Sequence, residues 1–343
     1  MADFTGDHGG WYRAMTSTNV RGNRSVDMSD HLAEGARTAI DQCLRVQPDE
    51  SVAVVTDDER APIGEALYAA ATDITDDVTL LRYPPSEQHG TEPPEPVAAA
   101  MAESDVFLAP TTKSLSHTRA RGAACDAGAR GATLPGITED VFTTGLDADY
   151  AAIDEACDAV LDAVGDADEI RVTAPAGTDI TFGVGDREWL ADTGMVHEPG
   201  SFSNLPAGEV FIAPATATGT YVVDGTMIPH GLLGEGQELR FEVEDGLVTS
   251  VSDDAIRKEL ETAAESVGDA AYNLAELGIG TNVGVEELVG SVLLDEKAGG
   301  TVHIAIGDNA GIGGETDAPV HLDGIVRDPT VYADGEPIEL PTA

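Results

Sequence analysis

Between Ser51 and Gly136, short apolar runs alternate with stretches in which apolar residues recur every three to four positions. That alternation predicts a parallel sheet flanked by helices. Ser51–Asp57 reads as a buried strand ending at a carboxylate, and Ala61–Ala71 as a helix with proline in its first turn. Strands at 78–83 and 106–110, and helices at 94–103 and about 116–129, continue the pattern. A helix over about 147–164 closes this half. Beyond it the period changes to two: 169–174 and 179–183 alternate across a Pro-Ala-Gly-Thr turn, which predicts a hairpin. Further strands are predicted at 209–212, 221–223, 238–243 and 247–252, then a helix at 254–266, then strands at 301–306, 320–325 and 330–332. The expectation is an α/β protein: a Rossmann-like domain over residues 1–165 and a strand-rich α+β metal-binding catalytic domain over 166–343.

Composition changes the picture chiefly through charge. The 343 residues carry 63 acidic against 18 basic side chains, a formal net charge of −45, and only three lysines, Lys113, Lys258 and Lys297. Such a surface repels itself in dilute buffer, but at molar salt the Debye length falls to about 3 Å and the repulsion is screened. A salt-filled cytoplasm is the setting this suits. Recurring Val, Ile and Leu runs argue against an acidic disordered chain. Nucleic acid and anionic membranes are excluded as partners, because phosphates need basic groups. Cys43, Cys125 and Cys157 form no paired framework and are expected to be buried thiols in a reducing compartment. The segment Met1–Gly10 lacks the basic and apolar regions of a signal peptide, and no apolar run reaches the ~20 residues of a membrane span. A cytoplasmic location is expected.

The turn after the first strand, Asp57-Asp-Glu-Arg-Ala-Pro62, has no glycine triplet for a pyrophosphate, which disfavours a dinucleotide. The chemistry lies further along. In Val320-His-Leu-Asp-Gly324 a period of two puts His321 and Asp323 on one face, within reach of a common ion. The glycine-rich run before it, Gly311 to Pro319, permits close backbone approach. His303 interrupts an apolar strand and needs a partner to offset its desolvation. Glu209 sits at the mouth of a buried strand beside Gly208, and Glu276 interrupts another apolar stretch. Each alone is more often a bonded pair, a core histidine or a solvated carboxylate; together in one half they suggest a single cause. Imidazoles and carboxylates without cysteine suit Zn, Mn, Co or Fe(II). Five ligands fit two ions about 3.5–4 Å apart, as in water-activating hydrolases. Alternatively, His303, His321 and Asp323 make a two-histidine, one-carboxylate triad, which suits Fe(II) and dioxygen.

Pro206–Phe211, Asn273–Gly278, Val302–Gly307 and His321–Asp323 occur in an order that resembles the aminopeptidase T family, as do Thr112–Arg121 and Leu134–Gly136. The resemblance implies a dimeric metallo-exopeptidase with two divalent ions, held by Glu209, Glu276, His303, His321 and Asp323. Glu209 or Glu276 would move the proton, and a peptide or small molecule would be the substrate. The peptidases carry a tyrosine shortly after the residue matching His303, and Gly307–Gly313 contains none, so Asp308 or Asn309 would have to substitute. The same superfamily includes 2,5-dihydroxypyridine 5,6-dioxygenases, Fe(II) enzymes with the same His-x-Asp ending, as the alternative. A non-catalytic binding protein is the third reading. His117 and Arg119, after a predicted strand end, are candidates to line an inter-domain cleft or to be solvated helix-end residues. Arg13, Arg21 and Arg24 are read as loop residues or partner contacts.

Overall fold

The computed structural model describes residues 28–342. His8, Arg13, Arg21 and Arg24 lie outside them. The first half runs α1 (Met28–Arg37), a π turn (Thr38–Cys43), β1 (Val52–Asp57), α2 (Ala61–Thr72), β2 (Val78–Tyr83), α3 (Glu95–Glu103), β3 (Val106–Thr111), α4 (Arg119–Asp126), β4 (Arg130–Pro135), α5 (Glu139–Leu146) and α6 (Tyr150–Val164). Strands then dominate: β5 (Glu169–Thr173), β6 (Asp179–Gly183), β7 (Leu190–Asp192), β8 (Phe202–Asn204), β9 (Glu209–Ile212), β10 (Thr216–Val223), β11 (Thr226–Met227), β12 (Gly231–Leu232), β13 (Leu239–Glu244) and β14 (Leu247–Val251). The chain finishes with α7 (Asp254–Val267), β15 (Leu274–Gly280), α8 (Val292–Asp295), β16 (Val302–Gly307), β17 (His321–Val326), β18 (Thr330–Ala333) and β19 (Glu336–Pro337).

Three sheets result, and the fold is a mixed α/β one. The first has order β2-β1-β3-β4-β8, all parallel. Its central strands β1 and β3 are buried throughout, because helices cover both faces. Val52, Val54, Val106 and Leu108 join Ile63, Leu67 and Phe142 in one core, while Ala53, Val55, Phe107 and Ala109 pack with Val97, Met101 and Ala124 in another. The alternate faces of each strand thus feed different cores. β8 adds the fifth strand although it lies past residue 166, so this sheet draws on both halves of the chain.

The other two sheets have seven strands each, β14-β13-β10-β6-β5-β18-β19 and β12-β11-β17-β16-β15-β9-β7, joined by antiparallel pairings. The expected 169–183 hairpin is β5–β6. One core cluster continues from the parallel sheet through both, linking Leu134 and Ile153 to Val210, Leu277 and Ile304. Cys43 and Cys157 are buried and Cys125 partly so, all three unpaired. No helix among the described residues is long and apolar enough to cross a membrane.

Candidate metal centre

The third sheet presents one face on which large polar side chains alternate with very small residues. Across its strands Glu209 of β9 pairs with Gly280, His303 of β16 with Gly278, and His321 of β17 with Gly307. Glu276 of β15 and Asp323 of β17 flank Ala305 from either side. A register irregularity between Leu274 and Glu276 marks a bulge, a local kink that re-aims the carboxylate. The small residues are a steric requirement. A Cβ on Gly278 would lie 2.0 Å from Cε1 and Nε2 of His303, so only glycine lets the ring lie across the strand.

All five sequence-predicted ligands meet on this face. His303 Nε2 lies 3.2 Å from Glu276 Oε1 and 3.4 Å from Glu209 Oε2. His321 Nε2 lies 3.2 Å from Glu276 Oε2 and 3.3 Å from Asp323 Oδ1. Two groups able to hold an ion therefore overlap at Glu276: one with Glu209 and His303, the other with His321 and Asp323. The first is buried, with His303 1% and Glu276 6% exposed, whereas a third of the His321 side chain, 33%, faces the opening.

Both rings are held from behind. His303 Nδ1 donates to the Glu296 carbonyl at 2.9 Å, and His321 Nδ1 to the Asp308 carbonyl at 2.7 Å. A carbonyl can only accept, so each Nδ1 carries the hydrogen and, in the neutral ring, each Nε2 turns a lone pair toward carboxylate oxygens. Acceptors facing acceptors need a cation between them, either protons or a metal. This histidine arrangement, one nitrogen on a backbone carbonyl and the other free, is the usual support of a metal ligand.

The titration of these groups has the same origin. Burial works against a charged His303, but the hydrogen bond it donates to Glu276 and the charges of Glu209, Glu276 and Glu296 outweigh it and raise the ring to about 9. His321 is likewise raised well above its ordinary value, against burial, by Asp323 and Glu276. Burial would raise Glu276, yet hydrogen bonds and charge from both imidazoles hold it below the usual carboxylate range. Glu209 is dominated by burial, which lifts it to about 7 despite Lys297.

Sequence reading missed the residues behind the ligands. Lys297, 2% exposed, reaches Glu209 Oε1 with Nζ at 3.1 Å and also bonds Glu296. Burial raises Glu296 and Asp192 above the ordinary range. One signal was available: Lys297 is one of three lysines in a chain that avoids them.

The five candidate ligands line a cleft of about 340 Å³ shared with His117 and Asn204 from the parallel-sheet side. Asn204 Oδ1 accepts from Ser116 at 2.8 Å and from Thr133 at 2.6 Å. His117 is exposed and borders the cleft; Arg119 does not line it, its side chain 90% exposed and paired with Glu92. Asp308 and Asn309 also line it, but the Asn309 amide is engaged with Thr316 N and the Ala275 carbonyl.

The family model NicX: 2,5-dihydroxypyridine 5,6-dioxygenase matches residues 31–340. The chain belongs to this family. A curated 2,5-dihydroxypyridine 5,6-dioxygenase from Pseudomonas putida KT2440 is 25% identical over 183 residues, 50% of this chain and 52% of that protein. The matched stretch thus spans about half the length of that relative. Among solved structures, a 2,5-dihydroxypyridine dioxygenase from P. putida KT2440 superposes with a TM-score of 0.72 at 20% identity, covering 92% of this chain and 96% of that one. AmpT from Thermus thermophilus gives 0.64 at 18% identity, over 91% and 100%. At these identities the likeness is one of fold, and the aminopeptidase T-like fold is supported on that ground.

The activity expected from that resemblance is corrected. A metallo-aminopeptidase, with its hydrolase and protease chemistry, is overturned by the NicX family match and by the dioxygenase relative. The physical reason is that imidazoles and carboxylates select an ion without selecting its reaction. The element that would have marked a peptidase, the tyrosine after His303, is absent from Gly307–Gly313.

Proposed function

We propose that this member of the NicX family is a ferrous-dependent dioxygenase that opens the ring of a dihydroxylated pyridine or a closely similar hydroxylated heteroaromatic. The family match over residues 31–340 carries this reading. The centre supports it, because Glu276, His303, His321 and Asp323 offer the mixed nitrogen and oxygen donors that Fe(II) takes.

A bound ferrous ion supplies the one-electron chemistry through which a ring and dioxygen can react. The chain's own residues do the rest. The Glu296 and Asp308 carbonyls fix the two imidazoles so that Nε2 presents a lone pair. Glu209, lifted to about 7 by burial, can take and return a proton at Oε2 near neutral pH. The cleft of about 340 Å³ suits one ring, with Phe211 as an apolar wall and His117 and Asn204 as polar groups opposite the centre. A homodimer is part of the proposal, on the family resemblance alone.

The experiment is oxygen uptake in high salt by protein reconstituted anaerobically with Fe(II), using 2,5-dihydroxypyridine. Expected is one O₂ consumed per ring lost, abolished by chelation. Stable ring absorbance with iron bound would overturn the substrate class.

A further inference from the structure

Six acidic residues line the cleft, yet one cation is already built into the chain beside them. Lys297 follows α8 and lies 2% exposed, with Nζ 3.1 Å from Glu209 Oε1 and bonded to the Glu296 carboxylate as well. The Asn282 amide N–H donates to the Lys297 carbonyl at 2.8 Å, and the Lys297 N–H donates to the Leu294 carbonyl at 3.1 Å, so the backbone that carries the lysine is itself fixed. The two overlapping ligand groups are therefore unequal. The one made by Glu209, Glu276 and His303 has an ammonium on one of its carboxylates. The one made by Glu276, His321 and Asp323 has no lysine or arginine bonded to it among the described residues.

We infer that Lys297 is a positioning residue that stands in for a second divalent ion: its ammonium neutralises Glu209 and confines the metal to Glu276, His321 and Asp323. This rests on the metal-centre reading above. Like charges in a buried site repel strongly, and a divalent ion beside Glu209 would lie next to the ammonium. Glu209, paired with Lys297, is then left to handle protons, and the five-ligand set works with one ion.

Metal stoichiometry tests this without reference to activity. Full-length protein, stripped with chelator in high salt, is titrated with Co²⁺, and bound ions are counted by elemental analysis with the d–d spectrum as a second readout. One tight ion per chain is expected, lost in His321→Ala. Lys297→Gln should acquire a second ion, and Glu209→Gln should keep one, with affinity within about threefold. The Glu209→Gln arm decides the matter if Lys297→Gln fails to fold. Two tight ions in the wild type, one in Lys297→Gln, or loss of the tight ion in Glu209→Gln would overturn the inference while leaving the metal centre standing. No ion in the wild type would remove the metal-centre reading itself, and the inference with it.

Discussion

The C-terminal edge of the parallel sheet and the polar face of the third sheet both gather buried acids and hydroxyls, and they do opposite things with them. At the parallel edge every acceptor meets a donor. Asp57, 1% exposed, accepts from the amides of Glu59, Arg60 and Thr112 and from the Thr112 hydroxyl, and Asn204 Oδ1 is closed by Ser116 and Thr133. On the third sheet, the Nε2 atoms of both imidazoles face carboxylate oxygens of Glu209, Glu276 and Asp323 at 3.2–3.4 Å. A buried polar cluster that satisfies itself is architecture, whereas one whose acceptors oppose each other is waiting for a cation.

The largest effect that would sharpen this contrast is expected in the self-satisfied half. Arg130 of β4 binds both oxygens of Glu50 at 2.7 Å and the Leu44 carbonyl at 3.0 Å, with its own side chain 7% exposed. Arg130→Met leaves Glu50 and that carbonyl without their partner and should cost about 3–5 kcal/mol in denaturant unfolding, with ion binding per folded chain unchanged. A comparable loss of ion binding would mean the two regions are not separable.

Next in size, Asp323→Ala should weaken Fe(II) or Co²⁺ binding by more than ~100-fold in equilibrium titration, exceeding the range seen for groups that only hold a ligand in place. Asp57→Asn, at the other region, should leave ion affinity within about twofold and act on stability only, by about 1–3 kcal/mol. Equal effects on affinity would break the comparison.

Gly278→Ala should cost about 1–3 kcal/mol, because its Cβ has no room beside the His303 ring, and should weaken metal binding with it. Thermal melts with and without excess Co²⁺ check both halves of that statement.

The smallest effect is in pH. His303 is raised from 6.5 to about 9 in the folded, metal-free chain. Its contribution to stability is complete below about 6.5 and is lost as pH rises through about 9, since the folded state then holds a proton that the unfolded chain releases sooner. The melting temperature of chelated protein should therefore fall across pH 6.5–9 at fixed high salt. The loaded protein should show a flatter profile, because an ion bound at Glu276 offsets the negative charge that favours the His303 proton. Identical slopes would show that His303 is not part of the ion's surroundings.

The regular elements of the first half were legible because their apolar runs are bounded by turns: β2 (Val78–Tyr83) falls on the predicted residues, and α2 ends within one residue of its prediction. β4 was missed, since Arg130 and Gly131 do not read as a buried strand until Glu50 and Phe107 are seen to cover them. β8 joins the parallel sheet through a contact across some 70 residues that no local pattern announces. In the second half, β15 is buried at all seven positions, so it shows no period of two and its type was ambiguous. The five candidate ligands stood out in the sequence as polar residues in apolar runs, and the structure brings them together on one face. Lys297 was visible only as a rarity, because a buried ammonium needs its carboxylates in view. The reaction was not legible in the donors, which specify an ion and not its use.

The floor of small residues beneath the centre carries a lesson for anyone re-engineering this chain. Gly278 sits inside β15, where glycine costs roughly 0.5–1 kcal/mol relative to alanine, Gly280 and Gly307 end β15 and β16, and at all three a Cβ would lie 2.0–2.1 Å from a neighbouring atom. A thermostabilisation campaign that ranks substitutions by strand propensity would nominate these positions first. They belong on its exclusion list, because the missing Cβ leaves room for the His303 ring at Gly278 and for the Ala298 and Val320 carbonyls at Gly280 and Gly307.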